Sequence, residues 1–455
     1  MDLLQDLRVW VAVAIVVVFG LLQLLISRKS ESTEKAPDQE QKDAKKQSQS
    51  QKQAPRRRPI SEKAPSGPRH PLEVNTLKHG DAVTGLCFSH DGAALATACG
   101  DGVVRVYTLD DVTAKSIKFR RINTGPGVHP VGVAFGLSAT EVAVSGTSPF
   151  GSCMRFYGPA TGRALEEARK EGKQAPMEVK WEQRPAHGGK AIISISSAVS
   201  TQGPGDGTAV IATSSEATDV VVWGAADGKV VGEVDSNQLR NTMAALSPDG
   251  RFLAIAAFTA DVKIWELVYG RDGAIQNVTR IMQLKGHKSA VTWLAFTWDS
   301  KGMVTASKDG TIKIWNIDVR YHLDEDPKCR HTFPILPLPS TATPDAAAAT
   351  AAAAAAAPAG KKGKKSAGPA LPLLDRIAVS PDGRLLAVTV GAALLWYELE
   401  GGSIVTADEQ AHTDAITWMA WSPKPVPIAG ESKPMHLLAT ASADKKVKLW
   451  KAPGH

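Results

Sequence analysis

The chain has 455 residues, 39 glycines and a formal net charge of +7, a length that fits one large repeat domain or about two to three ordinary domains. Its four cysteines (Cys87, Cys99, Cys153 and Cys329) have no C-x-x-C spacing, which argues against a disulfide framework or a cysteine–metal site and favours a reducing compartment. Residues 28–70 hold 12 Lys and Arg against 6 Asp and Glu, so the remaining chain lacks the charge excess of a nucleic-acid-binding domain.

An apolar run over residues 9–26 is the first element along the chain. No charged residue lies between Arg8 and Arg28, and a helix over this run would span roughly 27 Å, close to the thickness of the hydrocarbon core. The acidic start MDLLQDLR does not fit a cleaved signal peptide. The pattern therefore predicts a transmembrane anchor within residues 1–27. The basic residues that follow it predict a cytosolic C-terminal part.

Residues 28–70 are rich in Gln, Lys, Ser and Pro and contain almost no apolar side chains. Such a composition buries too little surface to offset the entropy of ordering, so it predicts a disordered basic tether. Three adjacent arginines, Arg56, Arg57 and Arg58, are interpreted as part of a solvated spacer, with docking to anionic lipid as the alternative.

The segment 285–315 reads KGHKSAVTWLAFTWDSKGMVTASKDGTIKIW and defines the pattern of the following domain. It contains three short runs rich in β-branched and aromatic residues, separated by turn sequences that end in Gly302 and Gly310. This alternation predicts an antiparallel meander of strands. A meander this small cannot bury both of its faces alone, so we expect copies of it on either side.

Copies of the meander recur from residue 71 to the end of the chain. Eight Asp-Gly dipeptides punctuate this region, each a hairpin signal between apolar runs. Aligning the aromatic residues of the final strands gives seven units, which end at Tyr107, Tyr157, Trp223, Trp265, Trp315, Trp396 and Trp450. Units one, five and seven are the clearest, and unit two is the weakest.

The repeat resembles the WD40 repeat, with Gly-His at the front, Asp-Gly in the last turn and an aromatic residue in the last strand. This resemblance implies an all-β, seven-bladed propeller over residues 71–455. The chain ends five residues after Trp450, so unit seven lacks a fourth strand. The strand-like run 72–77 precedes the first unit, and we expect it to pair with unit seven and close the ring.

Three units contain a His, a Thr and an Asp that could be mistaken for a catalytic triad. In each of them the Asp follows the Thr by four residues and the aromatic follows the Asp by six. A catalytic site occurs once in a chain, whereas this pattern recurs, and it resembles the structural tetrad of WD40 blades. The predicted tetrads are His79, Thr97, Asp101 and Tyr107; His287, Thr305, Asp309 and Trp315; and His412, Thr440, Asp444 and Trp450.

Partner binding is expected on the rim of the propeller, because WD40 domains use residues beside the tetrads for that purpose. The residues before the turn Asp are Gly100, Lys308 and Ala443, and those after the leading His include Lys288 and Thr413. Only the two lysines are charged, which favours an acidic or phosphorylated partner segment.

An insertion over about residues 318–372 separates units five and six. It contains an almost pure alanine run, residues 346–357, and then a basic cluster. We interpret it as a mobile, low-complexity loop. A docking site for acidic partners is the alternative for the basic cluster, which consists of Lys361, Lys362, Lys364 and Lys365.

The whole layout resembles the transducin beta-like protein 2 family. The detailed match covers residues 241–321 and the closing Pro453-Gly454-His455, and the variant last turn FTADVK (residues 258–263) is the most family-like part. The resemblance implies a single-pass protein of the endoplasmic reticulum membrane, with a cytosolic propeller that scaffolds protein partners in stress signalling towards translation. The alanine and lysine insertion is not part of the family pattern.

The sequence predicts no enzyme, since no unique acid, base or nucleophile stands out. It also predicts no cofactor, no metal and no small-molecule substrate. Two other functions remain open: promotion of nucleotide exchange on a small GTPase at the endoplasmic reticulum, and RNA binding through the basic tether and the basic cluster of the insertion.

Overall fold

The structure is a computed structural model that describes residues 70–172, 175–201, 203–236, 239–335 and 375–454. The predicted anchor and all but the last residue of the predicted tether lie outside these ranges. Within the described ranges, the helices are too short or too polar to cross a membrane.

Twenty-eight strands form seven antiparallel sheets of four strands each in the described part of the chain. Each sheet is one blade, and the blades follow one another in chain order. Blade 1 comprises β2 (Val83–Phe88), β3 (Ala94–Cys99), β4 (Val103–Thr108) and β5 (Phe119–Asn123). Blade 2 comprises β6 (His129–Phe135), β7 (Val142–Ser148), β8 (Gly151–Pro159) and β9 (Met177–Gln183). Blade 3 comprises β10 (Ile192–Val199), β11 (Ala209–Ser215), β12 (Asp219–Gly224) and β13 (Val230–Asp235).

The remaining blades repeat this order. Blade 4 comprises β14 (Asn241–Leu246), β15 (Phe252–Ala257), β16 (Val262–Tyr269) and β17 (Ile275–Leu284). Blade 5 comprises β18 (Val291–Phe296), β19 (Gly302–Ser307), β20 (Thr311–Asn316) and β21 (Lys328–Pro334). Blade 6 comprises β22 (Arg376–Val379), β23 (Leu385–Val390), β24 (Ala393–Glu398) and β25 (Ile404–Asp408). Blade 7 comprises β26 (Ile416–Trp421), β27 (Leu437–Ser442), β28 (Lys446–Lys451) and β1 (Glu73–Lys78).

In the described ranges, three short helices lie in the connections between strands. Helix α1 (Arg163–Lys170) lies between β8 and β9, and single 3-10 turns lie at Gly203–Gly205 and Tyr321–Leu323.

The ring is closed by the first and last strands, as the sequence predicts. Strand β1 pairs antiparallel with β28, so the start and the end of the domain share one sheet. The ion pair between Lys448 and Glu73 is 2.9 Å long and largely buried. The side-chain amide of Asn75 donates to the carbonyl oxygens of Val112 and Ala114 in blade 1. Closure therefore leaves neither strand with an unpaired edge towards the other.

The core lies between the blades rather than inside any one of them. Each sheet packs both faces against its neighbours, so the second strands β3, β15 and β27 are buried along their whole length. This explains why these strands read as continuous apolar or small-residue runs. The fourth strands lie at the outer edge, and β21 is almost entirely exposed. Polar side chains are accordingly tolerated there.

The insertion predicted between units five and six, at about residues 318–372, begins too early. Its first part contains β21, the fourth strand of blade 5, and Ile335 directly after that strand is buried. The reason for the error is that β21 is an exposed edge strand with little apolar signal. The alanine run and the basic cluster 361–365 lie outside the described residues.

The aromatic residue assigned to unit six is also off by one position. In blades 5 and 7 the tetrad tryptophan pairs with the second residue of the preceding strand, as Trp450 does with Leu438. In blade 6 the equivalent residue, Leu386, pairs with Tyr397 rather than with Trp396. Trp396 packs on the opposite face of the sheet, against blade 7. The turn of blade 6 is one residue shorter, and sequence alignment by aromatic type alone overlooks this.

Candidate functional site

The tetrad of blade 5 forms one continuous chain of hydrogen bonds. The indole N–H of Trp315 donates to Thr305 Oγ1 at 2.8 Å, and Thr305 Oγ1 lies 2.8 Å from His287 Nε2. His287 Nδ1 lies 3.1 Å from Asp309 Oδ2. Because the threonine oxygen accepts from the indole, its hydrogen points to Nε2, so the imidazole carries its proton on Nδ1 and donates to the carboxylate. Each buried polar group thereby has a partner.

The electrostatics of blade 5 agree with a neutral histidine beside an ionised acid. Burial opposes ionisation of Asp309, but the Thr311 hydroxyl, the Lys288 backbone N–H and His287 outweigh it and lower the pKa of Asp309 to about 2. Burial also lowers the pKa of His287, against the attraction of Asp309. Near neutral pH the pair is therefore a hydrogen bond from a neutral imidazole to a carboxylate.

Blade 7 repeats this geometry. His412 lies 3.1 Å from Asp444 and 2.8 Å from Thr440, and the Trp450 indole donates to the same threonine at 2.8 Å. The backbone N–H of Thr413 donates to Asp444 at 3.1 Å. Burial again opposes ionisation, yet hydrogen bonds from His412 and Thr413 lower the pKa of Asp444 to about 2.

A fourth tetrad, in blade 3, is missing from the sequence analysis. His187 contacts both Asp219 and Thr213, and the Trp223 indole donates to Thr213 at 2.7 Å. Here the acid follows the threonine by six residues and precedes the tryptophan by four, the reverse of the spacing in blades 5 and 7. The spacing of ten residues from threonine to tryptophan is the same in all three blades, and this invariant could have revealed the site.

Blade 1 departs from the predicted tetrad. His79 Nε2 lies 2.9 Å from Thr97 Oγ1 and 3.4 Å from the Tyr107 hydroxyl, but Nδ1 faces the carbonyl oxygen of Leu77 at 3.3 Å. The predicted partner, Asp101, instead pairs with Arg105 at 2.6 Å. Sequence spacing alone cannot detect this, because Arg105 is a surface-type residue whose side chain turns back onto the acid.

The other blades have apolar residues where the tetrad threonine would lie. Strand register places Val144, Ile255 and Val388 at that position in blades 2, 4 and 6. A brace of this kind is therefore present in four blades, with one of them altered. Its recurrence and its full internal pairing indicate that it fixes the turns of the blades.

The rim residues predicted from the tetrads lie in exposed turns. Lys288, Lys308 and Thr413 are exposed, whereas Gly100 and Ala443 are half-buried. The hydroxyl of Thr413 is directed to Asp444 at 3.3 Å, so this side chain belongs to the brace. The ammonium of Lys308 lies 4.6 Å from the ring centre of Phe258 in blade 4.

A second cation, which no sequence motif indicates, lies over the ring of Phe258. The guanidinium of Arg240 lies 4.4 Å from the centre of the same ring. Neither Arg240 nor Lys308 has a carboxylate within ion-pair distance among the residues that the structure describes. We call Arg240 and Lys308 the rim pair, and Phe258 its ring. The arginines 56–58 and the basic cluster 361–365 lie outside the described ranges.

The first strands of all seven blades surround a central channel with a volume of about 460 Å³. Two tryptophans at its edge link neighbouring first strands, since the indole N–H of Trp298 donates to Val379 and that of Trp421 donates to Ala378. Trp298, two residues after the end of β18, is half-buried. In the described part of the chain no group of three His, Cys, Asp or Glu side chains could hold a metal ion.

Comparison with known proteins agrees with this architecture. The family model for the WD domain, G-beta repeat, matches residues 72–108, 278–316 and 405–451. These ranges cover blades 1, 5 and 7, the units that are clearest in the sequence.

Among individual relatives, transducin beta-like protein 2 from Homo sapiens is 29% identical over 392 residues, which are 85% of this chain and 73% of the human protein. The protein of that name from Mus musculus is 32% identical over 263 residues, 57% of this chain and about half (54%) of the mouse protein. The target of rapamycin complex subunit wat1 from Schizosaccharomyces pombe is 27% identical over 119 residues, 26% of this chain and 36% of that protein. These matches confirm the resemblance predicted from the sequence.

Proposed function

We propose that this seven-bladed WD40 propeller, which is similar to transducin beta-like protein 2, is a non-enzymatic scaffold that binds an acidic segment of a partner protein on the rim of blades 4 and 5. The observation that carries the proposal is the rim pair, Arg240 and Lys308, on the single ring of Phe258.

The rim pair has the properties of a recognition site rather than of a structural contact. Both cations are exposed, so neither is needed to compensate a buried charge. The ring holds two like charges in one place, at a small electrostatic cost that a carboxylate or phosphate of a partner would offset. An arginine and a lysine together provide several diverging donors, and charge-assisted bonds to an anion are among the stronger hydrogen bonds.

The comparisons support a partner that is a protein. One relative is named as a subunit of the target of rapamycin complex. A propeller also suits this role, because its exposed turns present a wide rigid rim while the blades remain fixed.

The location belongs to the proposal as well. We place the chain in the endoplasmic reticulum membrane through residues 9–26, with the propeller in the cytosol and a role in stress signalling towards translation. Its support is the uncharged run between Arg8 and Arg28 and the basic residues that follow. Deletion of residues 1–27 should move the protein to the soluble fraction. If the truncated protein stayed with membranes after an alkaline wash, the anchor would be refuted.

Proximity labelling with the full-length chain tests the scaffold proposal. The double variant Arg240→Glu with Lys308→Glu should lose a defined set of labelled proteins, because it reverses the charge offered to the partner. Lys433→Glu is the matched control, since Lys433 is exposed in the loop between β26 and β27, at the opposite end of the strands. Identical labelling by the double variant and the control would falsify the proposed site.

A further inference from the structure

One level of the innermost strands, at the edge of the channel, contains a single charged residue. Strand register defines this level. In each blade the tetrad aromatic, or its equivalent, pairs with a residue of the second strand. The residue three positions later in that second strand pairs with one residue of the first strand, and these first-strand residues form the level. These seven residues, in blade order, are Gly85, Gly132, Ser194, Met243, Trp293, Arg376 and Trp418. Arg376 is the one charged residue among them, and all seven lie in the described part of the chain.

Arg376 lies beside two tryptophans that come from the blades on either side. Its guanidinium carbon is 4.3 Å from the ring centre of Trp293 in blade 5 and 5.9 Å from that of Trp418 in blade 7. The two indoles also contact each other edge to face, with centres 5.2 Å apart. Arg376 and Trp418 are half-buried, so the group remains accessible to solvent.

The hydrogen bonds of Arg376 leave its charge without a counter-ion. Its Nε donates to the carbonyl oxygen of Thr417 at 3.0 Å, and one terminal nitrogen donates to its own neighbour, the Asp375 carbonyl, at 2.8 Å. The Asp375 carboxylate accepts from the backbone N–H of Gly391 at 2.7 Å. Among the described residues, no carboxylate is within ion-pair distance of the guanidinium.

The charge is costly, and the neighbouring blades do without it. Burial lowers the pKa of Arg376, although Asp375 acts in the opposite direction, which reflects the cost of holding a cation in a partly dry site. At the equivalent position blade 4 packs a methionine and blade 5 a tryptophan. Apolar packing between blades therefore does not require a cation here, although the guanidinium also joins blade 6 to blade 7 through Thr417.

The Thr389 side chain lies on the same face of blade 6 as Arg376. Thr389 pairs directly with Arg376 across strands β22 and β23, which puts the two side chains on one face of the sheet. The Thr389 hydroxyl is buried and has no hydrogen-bond partner among the described residues. Buried hydroxyl groups are normally paired, so an unpaired one beside an unpaired cation points to an absent acceptor.

We infer that Arg376 is the anion-binding residue of a second site, at the edge of the channel beside Trp293 and Trp418, which takes an aspartate or glutamate side chain of an acidic partner segment. The inference rests on the proposed function, because the same kind of segment is expected at the rim pair. Both sites lie at one face of the ring: β22 begins at Arg376, Lys308 follows β19, and in each blade the first strand begins where the second one ends. Both indoles lie within cation–π distance of the guanidinium, and its second terminal nitrogen, which donates no hydrogen bond among the described residues, is left to receive the carboxylate.

The test uses the full-length chain labelled with 5-fluorotryptophan, and an octaglutamate peptide as the probe. Fluorine resonances of Trp293 and Trp418, assigned with Trp293→Phe and Trp418→Phe, should shift on titration with octaglutamate. Octaglutamine should leave both resonances unchanged. Arg376→Met should abolish the shifts and weaken octaglutamate binding by at least about tenfold, because a charge-assisted hydrogen bond is lost.

The choice of variants separates binding from folding. Methionine occupies the equivalent position in blade 4, so Arg376→Met should fold, with a thermal midpoint lowered by no more than about 4 °C through loss of the bond to Thr417. Arg376→Lys retains the charge without the planar fork and should restore part of the shift. Unmoved tryptophan resonances in the wild type, or full octaglutamate binding by Arg376→Met, would overturn the inference.

The rim variants keep this test distinct from that of the proposed function. The double variant Arg240→Glu with Lys308→Glu should bind octaglutamate more weakly yet still show shifts of Trp293 and Trp418 at saturation. If the double variant binds normally while Arg376→Met does not, the channel site stands and the rim site fails.

Discussion

Blades 5 and 1 carry the same four kinds of side chain at equivalent positions but connect them differently. In blade 5 the chain runs without a break from Trp315 through Thr305 and His287 to Asp309. In blade 1 the acid is taken by Arg105, and the histidine turns its Nδ1 to a backbone carbonyl of the closing strand β1. The comparison shows that an acid in the turn braces the histidine only when no closer cation competes for it.

The different surroundings of the two histidines also affect their pKa values. Burial and the nearby Arg105 together lower the pKa of His79 to about 4. In blade 5 burial also lowers the pKa of His287, with a smaller contribution from Lys313, whereas Asp309 raises it. The two imidazoles are therefore both neutral near pH 7, for reasons that differ in strength and in origin.

The largest expected effect is at the shared threonine. Thr305→Val should lower the free energy of unfolding by about 2–3 kcal/mol, because it leaves both the Trp315 indole and His287 without their partner in a buried site. Thr97→Val should cost about 1 kcal/mol, since the Thr97 hydroxyl has one short side-chain contact. Urea denaturation measures both, and equal losses would contradict the contrast between the blades.

The two turn acids, Asp309 and Asp101, should differ less in their contribution to the free energy of unfolding than the two threonines do. Asp309→Ala should destabilise the propeller by about 1–3 kcal/mol, and Asp101→Ala by less, because Asp101 is more exposed and pairs with a flexible arginine. The pKa of Asp309 is lowered from 3.8 to about 2, so its stabilisation is complete above pH 3.8 and is lost as the pH falls towards 2. Thermal midpoints across this window should fall less steeply in Asp309→Ala than in the wild type.

A smaller effect should appear in the titration of His79. Arg105→Met removes a nearby positive charge and frees Asp101, so the pKa of His79 should rise from about 4. Since the folded pKa lies below the ordinary 6.5, protonation opposes folding as the pH falls from 6.5 to 4. The variant should lose less stability than the wild type in that interval. An NMR titration of the imidazole measures the pKa directly, and an unchanged value would show that Arg105 has no such role.

The smallest effect on stability is expected at the rim. Lys308→Glu should leave the free energy of unfolding within about 0.5 kcal/mol of the wild type, because Lys308 is exposed and lies outside the brace. Thermal denaturation checks this in parallel with partner binding. A large loss of stability would mean that the turn of blade 5 depends on Lys308 as well as on Asp309.

Repetition explains which sites the sequence predicts well. The tetrads of blades 5 and 7 follow one spacing, and the structure brings both sets together within hydrogen-bond distance. The tetrad of blade 3 uses another spacing between Thr213 and Asp219, so a search for one pattern overlooks it. The sequence prediction also misses the edge strand β21, for a different reason. An exposed strand needs no pattern of apolar residues by which it could be recognised.

The sequence by itself determined that the chain forms seven units, because turn dipeptides and strand composition act over a few residues, and its resemblance to the WD40 repeat implied how the ring closes. Only the tertiary structure decided that Arg105 takes Asp101, that Arg240 and Lys308 share one ring, and that Arg376 lies beside Trp293 and Trp418. The contacts of Lys308 and of Arg376 join neighbouring blades. Their partners are therefore selected by the packing of the blades rather than by local spacing.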